Sequence, residues 1–116
     1  MSKLCVTNHI ADYVLSASES GSIHTNRFAT TGITITLPSI ASEGTYFYLC
    51  AAVYGLNFII ALENGSHQIW DNSGPIAGQS IYGSGLQANF KSIMLTYNGS
   101  GKWLTTHKYG VFYALP

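Results

Sequence analysis

Charged side chains are scarce in this sequence. Of its 116 residues, five are Lys or Arg and five are Asp or Glu, so the charged fraction is 9% and the formal net charge at pH 7 is zero. Soluble domains usually carry about 25% charged residues. The basic residues stand singly and form no electrostatic footprint for nucleic acid, so we predict no nucleic-acid partner. A neutral, charge-poor surface tends to associate, which favours a homo-oligomer.

Long uninterrupted apolar runs are also lacking. Residues 46–62 come nearest, but Gly55 and Asn57 interrupt them and no basic anchors flank them. We therefore predict a hairpin of residues 46–53 and 57–62, turning at residues 54–56, rather than a membrane helix. The N-terminal segment has no apolar run of the length that an export signal needs. We expect a chain that is made and kept in a cytoplasm until something else releases it, and that has no membrane partner.

Cysteines are few, and a chain of this length can bury a core without disulfides or metals. Cys5 lies near the start, and Cys50 lies in an apolar segment far from it in sequence. We predict that both are buried free thiols, which is the common state of cysteines in apolar surroundings. A single disulfide between them stays open as an alternative.

Helical spacing of apolar residues is absent from every helix-length window, so we predict little or no helix. Strand patterns take its place. In residues 33–37 three aliphatic side chains alternate with two threonines, and Pro38 follows, which is typical of a strand with one dry face that ends at the proline. In residues 46–53 both alternating sets are apolar, which predicts a strand in the middle of the core, covered on both faces.

The other segments predict short strands joined by turns. The clearest hairpin consists of residues 90–97 and 102–106 around the turn Asn98-Gly99-Ser100-Gly101. Residues 4–8 and 13–16 are expected to be two short strands or an arm. The remaining expectations are a polar edge strand at residues 23–28, a mostly loop segment at residues 71–85 and a final aromatic strand at residues 109–115.

Together these patterns predict an all-β protein, either an antiparallel β-sandwich or a small barrel. Residues 13–116 are expected to form a single β-domain. Residues 1–12 are expected to be an N-terminal arm or an edge strand.

No motif in the sequence predicts catalysis or ligand binding. Ser80 lacks the second glycine of the G-x-S-x-G nucleophile elbow, and the pair Gly101-Lys102 lacks the first glycine and the Ser or Thr of a P-loop. We predict a protein that is not an enzyme, with no catalytic residues, no cofactor and no metal. Four histidines stand without a partner at metal-ligand spacing and are expected at the solvent edge, namely His9, His24, His67 and His107.

A particular order of segments is similar to that of a known family. It runs from Ser20-Gly21 and Asn26 through Ala29-Thr30-Thr31-Gly32-Ile33-Thr34-Ile35-Thr36-Leu37-Pro38 to an aromatic strand that starts at Tyr46, and then to Ser92-Ile93-Met94-Leu95 and Gly101-Lys102-Trp103. This order resembles the small all-β modules of tailed-bacteriophage virions, over about residues 13–103. The resemblance implies a capsid decoration protein or a part of a tail fibre or spike, commonly trimeric, and supplies no catalytic residues.

We therefore predict a non-enzymatic structural protein of the virion, a head decoration protein. Its partners would be copies of itself in a trimer and the major capsid protein or other virion proteins. The alternatives are a tail-fibre or spike module, or a free carbohydrate-binding module, that contacts host glycans through Tyr or Trp rings, and more remotely a hydrolase that uses scattered carboxylates. The residues predicted to lie at interfaces are Leu4, Val6, Tyr82, Tyr109, Phe112 and Tyr113.

Overall fold

The computed structural model describes residues 5–53, 56–71, 74–76, 80–84, 91–110 and 113–114, with the backbone alone at 80–84 and 113–114. Within these ranges the chain forms twelve strands and a single 3-10 turn, Ala17–Glu19. The strands are β1 (Val6–Asn8), β2 (Tyr13–Val14), β3 (Ile23–Thr25), β4 (Ile33–Leu37), β5 (Tyr46–Ala51), β6 (Asn57–Leu62), β7 (Gln68–Asp71), β8 (Gly74–Pro75), β9 (Ser80–Ser84), β10 (Lys91–Tyr97), β11 (Lys102–Tyr109) and β12 (Tyr113–Ala114).

These strands form two sheets around one hydrophobic core. The seven-stranded sheet has the order β1-β3-β5-β10-β11-β7-β8, and the five-stranded sheet has the order β12-β9-β6-β4-β2. The predicted mainly β class with almost no helix is confirmed. Both sheets supply the largest fully buried side chains, among them Trp103, Phe47 and Leu49 from one and Phe58, Ile35 and Ile60 from the other.

The first six strands alternate between the two sheets. β1, β3 and β5 pair in parallel in the seven-stranded sheet, and β2, β4 and β6 pair in parallel in the five-stranded sheet. Because the chain crosses the core after each strand and returns after the next, strands two apart in sequence become neighbours that run in the same direction. The prediction of antiparallel sheets is therefore wrong for this half of the chain.

The predicted hairpin of residues 46–53 and 57–62 is wrong for the same reason. β5 and β6 lie in different sheets, so the apolar run contributes one strand to each side of the core. Nor is β5 covered on both faces along its whole length, since Tyr46 is 37% exposed whereas Phe47 is fully buried. In the ranges that the structure describes, no helix is long and apolar enough to cross a membrane.

The predicted hairpin around Asn98 is confirmed. β10 and β11 pair antiparallel, with Tyr97 opposite Trp103. The Asn98 side chain closes the turn because its Oδ1 accepts hydrogen bonds from the N–H groups of Ser100, at 2.8 Å, and Lys102, at 3.1 Å. Gly99 has a positive φ of 86°, which L-residues with a side chain rarely adopt. The asparagine and the glycine together fix this turn.

Two further predictions differ from the structure. β3 was expected at an edge, but β1 covers it on one side and β5 on the other, so it lies inside the sheet. Residues 71–85 were expected to be mostly loop, but among the described ones β8 and β9 are strands. Glycine is depleted in strands, which is why these residues were predicted to be loop. The pairing of β9 with β6 and β12 stabilises the strand in spite of its glycine.

The N-terminal segment closes one end of both sheets. β1 is the edge strand of the seven-stranded sheet, and β2 is the edge strand of the five-stranded sheet. Both predicted strands of this segment are thus present. Their residues are exposed, including Val6 at 56% and Val14 at 53%. The Asp12 carboxylate accepts the Thr34 N–H at 2.8 Å and so ends the β4 ladder beyond β2.

Candidate functional site

The surface of the seven-stranded sheet that faces away from the core presents an exposed, largely uncharged area. Along β5 the side chains of Phe47 and Leu49 point into the core and are fully buried, so Tyr46 and Tyr48 point outward. The pairing register extends this alternation across the neighbouring strands. We call this surface the outer face, which comprises the outward residues of β1, β3, β5, β10, β11 and β7.

Apolar and aromatic side chains form rows on the outer face. One row follows the register from Val6 to Ile23, Tyr48, Met94 and His107. A second row runs through Tyr46, Thr96, Leu104 and Trp70. The Thr96 and Thr106 hydroxyls lie 3.2 Å apart, which places both threonines on this face.

The charge of the outer face is small and of one sign. No Asp or Glu stands among its outward strand residues in the described ranges. Its one ammonium group, Lys102 Nζ, lies 4.9 Å from the centre of the Trp70 ring in a cation–π contact. The exposed fractions of Tyr46 and Leu104 are both 37%. A face of this kind loses little favourable hydration when another uncharged surface covers it.

Two of the predicted interface residues lie on the outer face. Val6 is 56% exposed at one end of the first row, and Tyr109, which lies opposite Ser92, is 61% exposed. The backbones of Tyr82 and Tyr113 pair with each other between β9 and β12, in the other sheet. Leu4 and Phe112 lie outside the described residues.

The free edge of β1 adjoins this face. The His9 N–H donates to the Thr25 carbonyl, and the Ile23 N–H donates to the Cys5 carbonyl, both at 2.8 Å. Since backbone groups in a strand alternate in direction, the N–H and C=O groups of Val6 and Asn8 point away from the sheet. Among the described strands, none pairs with this edge of β1.

Beneath β1, a series of polar groups links the N-terminal segment to β3. His9 Nε2 lies 2.8 Å from His24 Nδ1, His24 Nε2 lies 2.6 Å from Ser22 Oγ, and Ser22 Oγ lies 2.5 Å from the Glu19 carbonyl. His24 is fully buried, and the exposed fractions of His9 and Ser22 are 7% and 9%. The prediction of solvent-edge histidines is wrong for His9 and His24, because each ring finds its partner in a distant segment.

The direction of each hydrogen bond in this series follows from its last member. A carbonyl oxygen only accepts, so the Ser22 hydroxyl donates its proton to Glu19. Ser22 Oγ then accepts from His24 Nε2–H, which leaves His24 Nδ1 as the acceptor of His9 Nε2–H. His24 is therefore neutral, and both rings are protonated on Nε2.

This direction of donation bears on catalysis. A serine nucleophile needs a histidine that accepts its proton. Here His24 donates to Ser22, which is the opposite arrangement. Although Ser22 borders an open groove of about 430 Å³, it lacks the activated hydroxyl of a catalytic triad.

The surroundings keep both rings uncharged at neutral pH. Burial, and then the adjacent His9, lower the pKa of His24 from 6.5 to about 4, against the opposing effect of the Glu19 carboxylate. Burial also lowers the pKa of His9. Burial opposes ionisation of Glu19, but hydrogen bonds from the Ser16 N–H and the Tyr13 hydroxyl hold its pKa below the usual range. The cluster thus carries one negative charge beside two neutral rings.

A further buried histidine, His67, is held by groups from other segments. Its Nδ1 lies 3.3 Å from Trp103 Nε1, and its Nε2 lies 3.3 Å from the Tyr97 hydroxyl and from Asn64 Nδ2. An indole nitrogen only donates, so Nδ1 accepts and the ring proton is on Nε2. The Tyr97 hydroxyl can accept this proton, whereas Asn64 Nδ2 also only donates and has the Ser39 carbonyl as its acceptor at 3.1 Å. Burial lowers the pKa of His67. The solvent-edge prediction is wrong for His67 as well, and it holds for the exposed His107.

The cysteines are both free, and their environments differ. Cys50 is buried, as predicted, and burial raises the pKa of its thiol to about 11. Cys5 is exposed, so the prediction of burial is wrong for it. It precedes β1, whose residues are all exposed.

Among the residues that the structure describes, no group of three or more His, Cys, Asp or Glu side chains could hold a metal ion. Comparison of the chain with models of known protein families, and with curated proteins, finds no match. The outer face and the His9–His24 series are therefore the features on which a functional hypothesis depends.

Proposed function

We propose that this protein is a non-enzymatic structural subunit that self-associates, and joins a virion lattice, through the outer face. The observation that supports this proposal is that the face combines exposed Tyr and Leu side chains and partly buried Trp and Met side chains with no carboxylate in its described strand residues. Subunit interfaces are enriched in aromatic residues, Met and Arg and depleted in Asp, Glu and Lys. The low charge of the whole chain supports the same conclusion.

Within this proposal the protein is a head decoration protein of a tailed bacteriophage, assembled as a trimer on the major capsid protein. The sequence resemblance supports this assignment. Of the two predicted architectures we favour the sandwich, since the molecule measures 37 × 35 × 22 Å and its thin dimension suits two packed sheets. Many weak contacts act together on a lattice, so each subunit interface needs only modest affinity.

Sedimentation of the full chain across a range of concentrations at pH 7 tests self-association. The informative variant is Leu104→Glu, because it places a carboxylate at the centre of the second row of the outer face. A buried, unpaired charge costs about 3 kcal/mol or more, so the dissociation constant should rise at least about a hundredfold. Ile40→Glu is the matched control, since Ile40 is 83% exposed and lies outside the outer face.

We expect an oligomer for the wild type and Ile40→Glu, and a monomer for Leu104→Glu. A wild type that sediments as a monomer at every concentration contradicts self-association, and equal weakening by both variants contradicts the choice of face. Detection of the chain in purified particles by mass spectrometry tests the virion assignment separately.

A second candidate function, glycan binding, rests on one observation. The row of Tyr46, Thr96, Leu104 and Trp70 places aromatic rings and a hydroxyl on one face of the sheet, which also suits the face of a sugar ring. A glycan array with the wild type and Tyr46→Ala separates the two functions. Binding that the wild type shows and Tyr46→Ala loses would favour the tail-fibre or lectin function over lattice packing.

A further inference from the structure

The attachment of β1 to the body of the protein depends on few contacts. All three residues of β1 are exposed, and β3 is the single partner of this strand among the described strands. Among residues 5–14, His9 is the one buried residue. Its ring lies against His24 and packs at a tilt of 34° against the Tyr13 ring, with centroids 4.6 Å apart. The His9 side chain is thus the anchor of this segment.

We propose that the His9–His24 pair is a proton-sensitive latch that holds β1 on the seven-stranded sheet and releases it in acid. The contact at 2.8 Å requires a proton on His9 Nε2 and a lone pair on His24 Nδ1. It is therefore lost when His24 is protonated while His9 keeps its proton on Nε2.

The two rings respond differently to protons. A first proton can bind His9 Nδ1, which leaves the Nε2–H donation to His24 intact. A proton on His24 Nδ1 instead faces the His9 Nε2–H, and two donors cannot share a contact of this length. Protonation of His24 is therefore the step that opens the latch.

The groups packed around the pair do not reverse this outcome. Glu19 and Tyr13 are the titratable neighbours from the adjoining segments, and Phe47 meets the edge of the His24 ring from β5. The Glu19 carboxylate attracts an imidazolium. However, its oxygens already accept hydrogen bonds from Tyr13 and Ser16, and burial has the larger effect on His24. The net effect favours the neutral ring.

The direction of the pH effect follows from linkage. The pKa of His24 is about 4 in the closed state and close to 6.5 when the segment is open to water, so the open state binds the proton first. The stabilisation by the latch is complete above pH 6.5 and is lost as the pH falls toward 4. Between pH 7 and pH 5 the open fraction should rise about tenfold or more.

Release of β1 would also remove Val6 and Asn8 from the outer face and expose the edge of β3. Association through that face would then weaken in acid, and this consequence alone rests on the proposed function. The latch itself acts within one chain, so it is measurable at concentrations where the protein is a monomer.

Amide hydrogen exchange followed by NMR between pH 7 and pH 5 tests the latch. The reporters are the amides of His9 and Ile23, which hydrogen-bond across the β1–β3 pair, and the reference is the Tyr97 amide, which bonds to the Thr45 carbonyl. Protection factors corrected for intrinsic exchange should fall at His9 and Ile23 by about tenfold or more relative to Tyr97.

Variants separate the latch from general acid sensitivity. In His9→Gln the amide can donate to neutral His24 Nδ1 or turn its Oε1 to accept from the protonated ring, so the fall at Ile23 should be smaller than in the wild type; burial of the His24 ring accounts for the part that remains. In His107→Gln, an exposed histidine away from the pair is lost, and the fall should persist.

Two results would overturn the latch. One is a wild-type chain whose reporters keep their protection relative to Tyr97, and the other is an equal fall in wild type and His9→Gln. Titration of the His24 ring signals in the wild type gives a check that needs no variant, and a midpoint at or above 6.5 would also overturn the latch. None of these results depends on whether the protein associates.

Discussion

Replacement of His67 by Phe provides a direct measure of what the second buried histidine contributes. The His67 ring accepts the indole N–H of the fully buried Trp103 at 3.3 Å. A phenylalanine ring fills nearly the same space but accepts no hydrogen bond. The variant therefore isolates the loss of an acceptor from the loss of volume.

The expected loss follows from the group that is left unpaired. A buried N–H without a partner costs about 1–3 kcal/mol. The Tyr97 hydroxyl keeps its hydrogen bond from the Gly101 N–H at 2.9 Å, so its contribution to the loss is small. We expect the free energy of unfolding of His67→Phe to fall by about 2 kcal/mol, within a total of about 5–15 kcal/mol for a domain.

Urea denaturation at pH 7, followed by tryptophan fluorescence, measures this difference. His107→Phe changes an exposed histidine and should stay within about 0.5 kcal/mol of the wild type. A double-mutant cycle with Trp103→Phe should show a favourable coupling of about 1 kcal/mol between residues 67 and 103. If His67→Phe is as stable as the wild type, or if the two changes are additive, the indole–imidazole hydrogen bond contributes nothing and the reasoning is wrong.

Two further predictions concern other parts of the fold. Iodoacetamide should alkylate Cys5 in the native protein and leave Cys50 unmodified until urea is added, and peptide mass spectrometry measures both. Rapid labelling of Cys50 in the native protein would contradict its burial and its raised pKa. Gly44→Ala, whose Cβ meets nothing within 4 Å, should cost about 1 kcal/mol from its positive φ alone. Gly110→Ala should lower the free energy of unfolding by about 1 kcal/mol more than Gly44→Ala, because its Cβ would lie 2.7 Å from Lys91 Cγ. Equal unfolding midpoints of the two variants would refute this difference.

The sequence patterns predicted individual strands better than their partners. Residues 33–37 have the alternation of buried and half-buried side chains that the three aliphatic residues and two threonines predicted. The pairing of the strands could not be predicted from these patterns, because a run of apolar residues does not indicate in which sheet its strands lie. Residues 46–62 therefore look like a hairpin in sequence, although they supply one strand to each sheet.

The candidate site was predictable only in part. The sequence does not distinguish tyrosines of the core from tyrosines of the surface, and the structure divides them between Tyr97, which is buried, and Tyr46, which is partly exposed. The histidine series had no local signal. His24 stands in a short polar strand, and its partner His9 lies in another segment that only the fold brings to it.

The alternation of the first six strands between two sheets makes the molecule extendable. Each successive pair of strands adds one strand to each sheet and widens that sheet by about 4.8 Å. The strands already present keep their direction. Insertion or deletion of one such pair by gene duplication or loss would alter the width of the protein while the hairpin of β10 and β11 kept its form. Related chains of different widths could therefore share one cross-section.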